Sequence, residues 1–267
     1  MSQEQKKLWC DGPYELISAS KAGDKAGEKP TGSRAMAREM ILVHNLLIRG
    51  INCVHRQAVR LSQEGSAQDK LDFASFALQW SRTLHHHHNL EEDELFPRLA
   101  AAAGDPELMN GPSSEHRDFD AGLEKYEAYL KAVLEGREEF DGTKLKGIVD
   151  EVMPIVHGHL VREIDVLLGL SRYEGSVDWM PIFEEVVGNS ASRDMKQSWY
   201  RTDLFPLVLH LHDKSFEDGA FANFPPVPWI VLLGIRWIFC RTRASWWRFA
   251  GCDGNSMPQE LPFAEEA

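Results

Sequence analysis

The sequence predicts an all-α protein: an up-down four-helix bundle with a Trp- and Pro-rich C-terminal extension packed against it. Three observations carry this. Between about residues 34 and 170, four segments repeat apolar residues at three- and four-residue steps, the period of a helix with one buried face. Each segment holds a histidine, and the intervals match: 43 residues separate His44 from His87, and 43 separate His116 from His159. Two similar helical hairpins would produce that repeat. After Ser171 the periodicity gives way to frequent Trp, Phe and Pro.

Taken in order, residues 1–33 are polar and rich in Gly, Lys and Ser, which suits a mobile leader without chemistry. A first helix is expected from Ser33 to about Ser62, with Met36, Met40, Val43, Leu47, Ile51 and Val54 on its buried face and His44 close to that stripe. The second should start at Ser66, where Asp69 three residues on makes a capping-box variant. It should run through Phe73, Phe76, Trp80 and Leu84 to Ala103, with Pro97 as a kink. Asn110-Gly111-Pro112 reads as a turn, so the third helix should begin beyond it and carry His116, Phe119, Leu123, Tyr126 and Leu130. Residues 136–142 form a charged connector. The fourth helix, 143–170, carries Ile148, Val152, Ile155, Val156, His159, Ile164 and Leu168, and Gly158 within it suggests close approach to a neighbour. The expected division is thus a leader at 1–33, a bundle at 34–172 and an extension at 173–267. The extension should contain short helices and ordered loops. Its most apolar stretch, Val227 to Cys240, is too short to cross a membrane and is interrupted by Arg236.

A chain of 267 residues can bury a full core, and 41 acidic against 29 basic residues give a net charge of −12. That balance opposes binding along a phosphate backbone, so nucleic acid is not an expected partner. Cys10, Cys53, Cys240 and Cys252 form no CxxC pair and read as reduced thiols. With no apolar secretion-signal core in the first residues, the expected location is cytoplasmic.

The chemistry concentrates in His85–His88 followed by Glu91, Glu92, Asp93 and Glu94. Residues four apart on a helix lie about 6 Å from each other, so His87 with Glu91, or His88 with Glu92, can grip one cation. His116 is followed by Asp120 and His159 by Glu163 at the same spacing. Facing helices of a bundle can project such groups inward onto metals. Imidazole suits Fe, Zn and Cu, and carboxylates suit harder ions including Mn. Because successive residues step 100° around a helix, only one or two of the four consecutive histidines can face the core, which leaves His85 and His86 as outer groups.

Together, His44, HHNLEED from His87, EHRDFDAGL from Glu115 and HLVREID from His159 resemble the hemerythrin-like, or HHE cation-binding, family over about residues 34–172. The tail, with LHLHDKSFEDG, FPPVP and WWRFAGCDG, is similar to an extended branch of that family common in fungi. The resemblance implies a four-helix bundle around two non-haem irons per chain, with a position open to O₂ or NO. It implies His44, His87, Glu91, His116, His159 and Glu163 as ligands, with Asp120 a further candidate. Respiratory members place a second histidine four residues after the third-helix one, where this chain has Asp120. They also place an aspartate five residues after the last histidine, where it has Ile164, with Glu163 one position earlier.

His55 is expected to pack or hydrogen-bond, and His210, His212 and Asp213 lack matching ligands for a second metal site. Trp237, Arg241, Arg243, Trp246, Trp247 and Arg248 fit either a lid over the bundle or a membrane- or partner-binding element, and the lid is the preferred reading. Two functions follow, ahead of a weaker third, a Zn- or Mn-loaded structural protein. One is a di-iron protein binding O₂ or NO; the other is a di-iron oxygenase or oxidase acting on a small organic substrate. Asp120 and the long tail favour the second, because carboxylate-rich ligation stabilises higher oxidation states. No flavin or NAD(P) fingerprint is present, so an enzyme would draw electrons from an external donor.

Overall fold

The structure, a computed structural model, describes residues 10, 12–23 and 30–264. The chain is all-α. Helix α1, Gly32–Glu64, is followed by α2, Ala67–Leu90, which begins with the capping box that the sequence suggests. The Ser66 hydroxyl accepts from the Asp69 N–H at 3.2 Å, and the Asp69 carboxylate accepts from the Ser66 N–H at 2.8 Å. A π-helical turn, Glu91–Leu95, leads into α3, Phe96–Ala103, which Gly104 ends in the left-handed conformation. Helices α4, Asn110–Leu134, and α5, Gly142–Gly169, complete the bundle.

Two local features differ from expectation. The bend ahead of Pro97 is a π turn, in which the Phe96 N–H reaches the Glu91 carbonyl. Proline has no N–H to donate and its ring crowds the carbonyl four residues back, so the extra residue relieves both problems. Asn110-Gly111-Pro112 is the first turn of α4 rather than a preceding loop. Proline is tolerated there because first-turn N–H groups have no helical partner in any case.

α1 is buried almost all round, although its sequence reads as having one polar face. The polar residues Asn45, Arg49 and Asn52 are buried because other segments cover them. Residues expected to be a mobile leader do part of this. Asn45 exchanges two 2.8 Å hydrogen bonds with the Ile17 backbone, and Asn52 binds the Cys10 and Tyr14 carbonyls. Backbone groups that would otherwise be buried without partners are thereby satisfied. The rest of the leader, 1–9, 11 and 24–29, lies outside the described residues.

The tail covers the other side. Helix α6, Trp179–Asp194, packs on α1, α3 and the π turn. A second π turn, Tyr200–Leu204, precedes α7, Phe205–Leu211, again just before a Phe-Pro pair. Gly50 marks the crossing of α1 with α2 and α7: a Cβ there would sit 2.6 Å from Trp80 and 3.0 Å from Leu211. Gly158 is not such a crossing. A Cβ there would meet only the guanidinium of Arg162 on the same helix. Among the described residues, no helix is long and apolar enough to cross a membrane.

Candidate metal centre

Four helices deliver histidine rings to one buried region between the π turn and the middle of α1. His44 projects from α1, His87 and His88 from the last turn of α2, His116 from α4 and His159 from α5. Their donor atoms form two groups, His88 with His116 and His159, and His44 with His87, Glu91 and Glu163. In the second group, His44 Nε2 lies 3.1 Å from His87 Nε2 and 3.3 Å from Glu163 Oε2. His116 Nε2 and His159 Nε2 are 3.0 Å apart in the first.

The two carboxylates lie between the groups. Glu91 Oε1 is 3.2 Å from His87 and its Oε2 is 3.8 Å from His116. Glu163 Oε2 is 3.3 Å from His44 and 3.8 Å from His159. All four oxygens of Glu91 and Glu163, and His88 Nε2, are buried without a hydrogen bond. Leaving such groups unpaired costs about 1–3 kcal/mol each, and more for charged ones. A protein that orphans five polar atoms at one point has left a place for an ion.

The outer nitrogens fix the ring orientations. His44 Nδ1–H donates to the Leu160 carbonyl at 2.8 Å, His116 Nδ1–H to Glu92 at 2.7 Å and His159 Nδ1–H to Glu115 at 3.0 Å. Ser113 and Arg162 in turn hold Glu92 and Glu115. A carbonyl or carboxylate can only accept, so Nδ1 carries a proton in each ring and Nε2 is turned inward, the arrangement that orients metal-binding histidines. His116 Nε2 and His159 Nε2 therefore face each other at 3.0 Å with both outer nitrogens already committed. Burial pushes His87 and His88 well below the usual histidine range and His159 down to about 4. Burial, with repulsion from Glu163, pushes the Glu91 carboxyl well up. Burial would raise Glu163 too, but His44, His159 and His87 outweigh it and hold that carboxyl at about 2.

Six of the seven residues singled out in the sequence converge here: His44, His87, Glu91, His116, His159 and Glu163. Asp120 does not. It is exposed on α4, where its charge acts on His85. Its expected place is taken by His88, whose ring stacks on His116 at 4.1 Å between centroids. The His87/Glu91 and His88/Glu92 registers are therefore not exclusive. A 100° step separates neighbouring rings: His87 falls in one donor group and His88 in the other, and Glu92 supports His116 from outside. Sequence reasoning allowed one or two of these histidines to face the core but set the two registers against each other; the run of four histidines was the signal that both could be used. His85 pairs with Glu127, and His86 faces outward to Asp194, Trp199 and Tyr200 of the tail. His55 meets Asp150, while His210 and His212 are spent on the Pro206 and Phe221 carbonyls.

An all-α bundle that converges histidines and carboxylates on a buried point defines a cation-binding helical protein. The chain belongs to the hemerythrin HHE cation-binding domain family, whose model matches residues 36–170. Over 269 aligned residues it is 29% identical to dimeric xanthone biosynthesis cluster protein R11 of Cryptosporiopsis sp. (strain 8999), covering 96% of this chain and 94% of that protein. No solved structure matches.

Proposed function

We propose that this is a non-haem di-iron protein whose buried centre binds O₂ or NO. The observation that carries the reading is the pair Glu91 and Glu163, unpartnered and lying between two histidine groups. His88, His116 and His159 would hold one iron and His44 and His87 the other, with both carboxylates spanning them. Two irons so held supply redox-active binding for a diatomic ligand. With the two carboxylates shared, the His44–His87 side would contribute two histidines against three and so leave more room for that ligand. Two carboxylates offset only half the charge of two divalent ions, and Glu92 and Glu115 behind the histidines soften the remainder. With His88 inside and Asp120 outside, the donor set is histidine-rich, which favours reversible binding over attack on a substrate.

A second reading is a di-iron oxygenase or oxidase acting on a small organic molecule, with electrons from an external donor. Its support is the near full-length similarity to a protein named for a xanthone biosynthesis cluster. The test is anaerobic Fe(II) loading followed by metal counting, Mössbauer spectroscopy and optical spectra with and without O₂. The expected result is about two coupled irons per chain and an O₂-dependent band that reverses on deoxygenation. A single uncoupled metal would overturn the di-iron reading. An irreversible oxidation that quickens with a phenolic substrate would replace the binding function by the enzymatic one.

A further inference from the structure

The tail is not buried along its whole length. Residues Trp229–Gly234 form a helical turn that continues through a π turn, Ile235–Phe239, giving a run about 16 Å long at 1.5 Å per residue. Its sequence, WIVLLGIRWIF, is apolar nearly all round, and such a helix normally requires cover on every side. Only one side has it. Ile235, Val231, Leu232 and Phe239 pack on Phe205 and Leu209 in a small core separate from that of the bundle. The opposite side presents Trp229, Ile230, Trp237 and Ile238 at 74, 57, 60 and 60% exposure, with Leu233 between them. Among the described residues these four are the most exposed large apolar side chains. Single exposed apolar residues are ordinary, but a contiguous group with two tryptophans marks a contact surface.

Charge identifies what the surface contacts. Between Asp218 and Asp253 the sequence has no acidic residue and four arginines, Arg236, Arg241, Arg243 and Arg248, in a chain of net charge −12. Arg243 and Arg248 are tied to Asp203 and to Asp69 and Asp72, but Arg241 is exposed beside the patch with its guanidinium 4.8 Å from the Trp237 ring centroid. Tryptophan beside arginine suits the boundary between lipid headgroups and acyl chains, where the ring is half immersed and the cation meets phosphate. A run of about 16 Å is roughly half the hydrocarbon thickness, so it can lie in that boundary and cannot span it. We propose that the outward face of residues 229–241 docks the protein on an anionic lipid bilayer surface.

The test uses the iron-loaded full chain with vesicles of phosphatidylcholine, with and without phosphatidylserine, read by co-sedimentation and tryptophan fluorescence. Binding to the anionic vesicles with a blue shift is expected, weakening as salt is raised. Trp229→Ser with Trp237→Ser should abolish sedimentation while leaving iron content and helical circular dichroism unchanged. Arg241→Ala should lower the partition coefficient by about fivefold. The proposal is overturned if wild type binds neither vesicle, if the double variant binds as well as wild type, or if both vesicle types are bound equally. It is also overturned if the double variant merely converts a wild-type dimer to a monomer with no vesicle binding, because the patch is then an interface between copies of the chain.

Discussion

Single residues decide the character of the centre, and His88 decides most. It contributes a buried Nε2 that nothing else satisfies, stacked on His116 and edge-on to His159. His88→Ala should therefore lower iron content from two toward one per chain, with the loss on the three-histidine side, whereas Asp120→Ala should leave it unchanged. Metal analysis of both variants after identical loading checks this, and equal losses would return Asp120 to the ligand set. A second residue-scale expectation concerns acid stability. Burial, with Arg49 nearby, holds the His212 ring at about 4 against an unfolded value of 6.5. Over that interval the unfolded chain binds more protons, so the contribution of His212 to stability is present above pH 6.5 and lost as pH falls toward 4. His212→Gln should make the fall in urea midpoint between pH 7 and pH 5 measurably shallower than in wild type.

Elements reveal how far sequence logic reaches. The start of α2 is legible because Ser66 and Asp69 cap it with their own side chains, and the end of α3 because Gly104 alone can take the left-handed backbone cheaply. The histidine stations are legible from four-residue spacing. The π turn is less so, since Pro97 signals a disturbance without saying whether the helix bends, stops or gains a residue. Which of the four consecutive histidines turns inward is also hidden, because it depends on how α2 is rotated against α1, α4 and α5, and His87 and His88 end in different donor groups. The burial of α1's polar face was unreadable for a further reason: its covers are the N-terminal segment and the tail, distant in sequence. Two of the helical glycines, Gly50 and Gly158, make a paired test. Gly50→Ala drives a methyl into Trp80, which is itself fixed by its indole N–H to the Leu47 carbonyl at 2.8 Å. A cost of about 1–3 kcal/mol is expected. Gly158→Ala meets only the far end of the Arg162 side chain, whose Nε bonds Glu115, and should stabilise by roughly 1 kcal/mol through helix propensity if that guanidinium shifts and keeps the bond. Denaturant titrations of opposite sign check the pair; two losses would mean that α5 also needs glycine for close packing.

At the scale of the whole molecule, the tail has two faces, one packed on the bundle and one exposed. On the packed face, Trp179, Trp247, Phe249, Leu261 and Ala264 belong to the same continuous core as α1, α2, α4 and α5. Phe249 meets Phe73 edge-on at 5.1 Å, and Arg193 pairs with Glu94 on the π turn beside the candidate ligands. All candidate ligands nevertheless lie before Arg172, so we propose that the tail seals the centre and supplies none of its donors. A chain ending at Arg172 should then keep the capacity to take up iron while losing the cover over Phe73, Phe76 and the outer side of His86. Its melting temperature should fall by several degrees, as a loss of even about 1–2 kcal/mol would produce in a domain of this size, and it should bind a hydrophobic dye. Its ferrous form should oxidise in air faster than that of the intact chain, measured by stopped-flow after anaerobic loading. If a helical, soluble truncation instead takes up no iron, the tail is part of the site's support. The contacts of His86 with Asp194, Trp199 and Tyr200 would then be where to look, because they hold the turn from which His87 and His88 project.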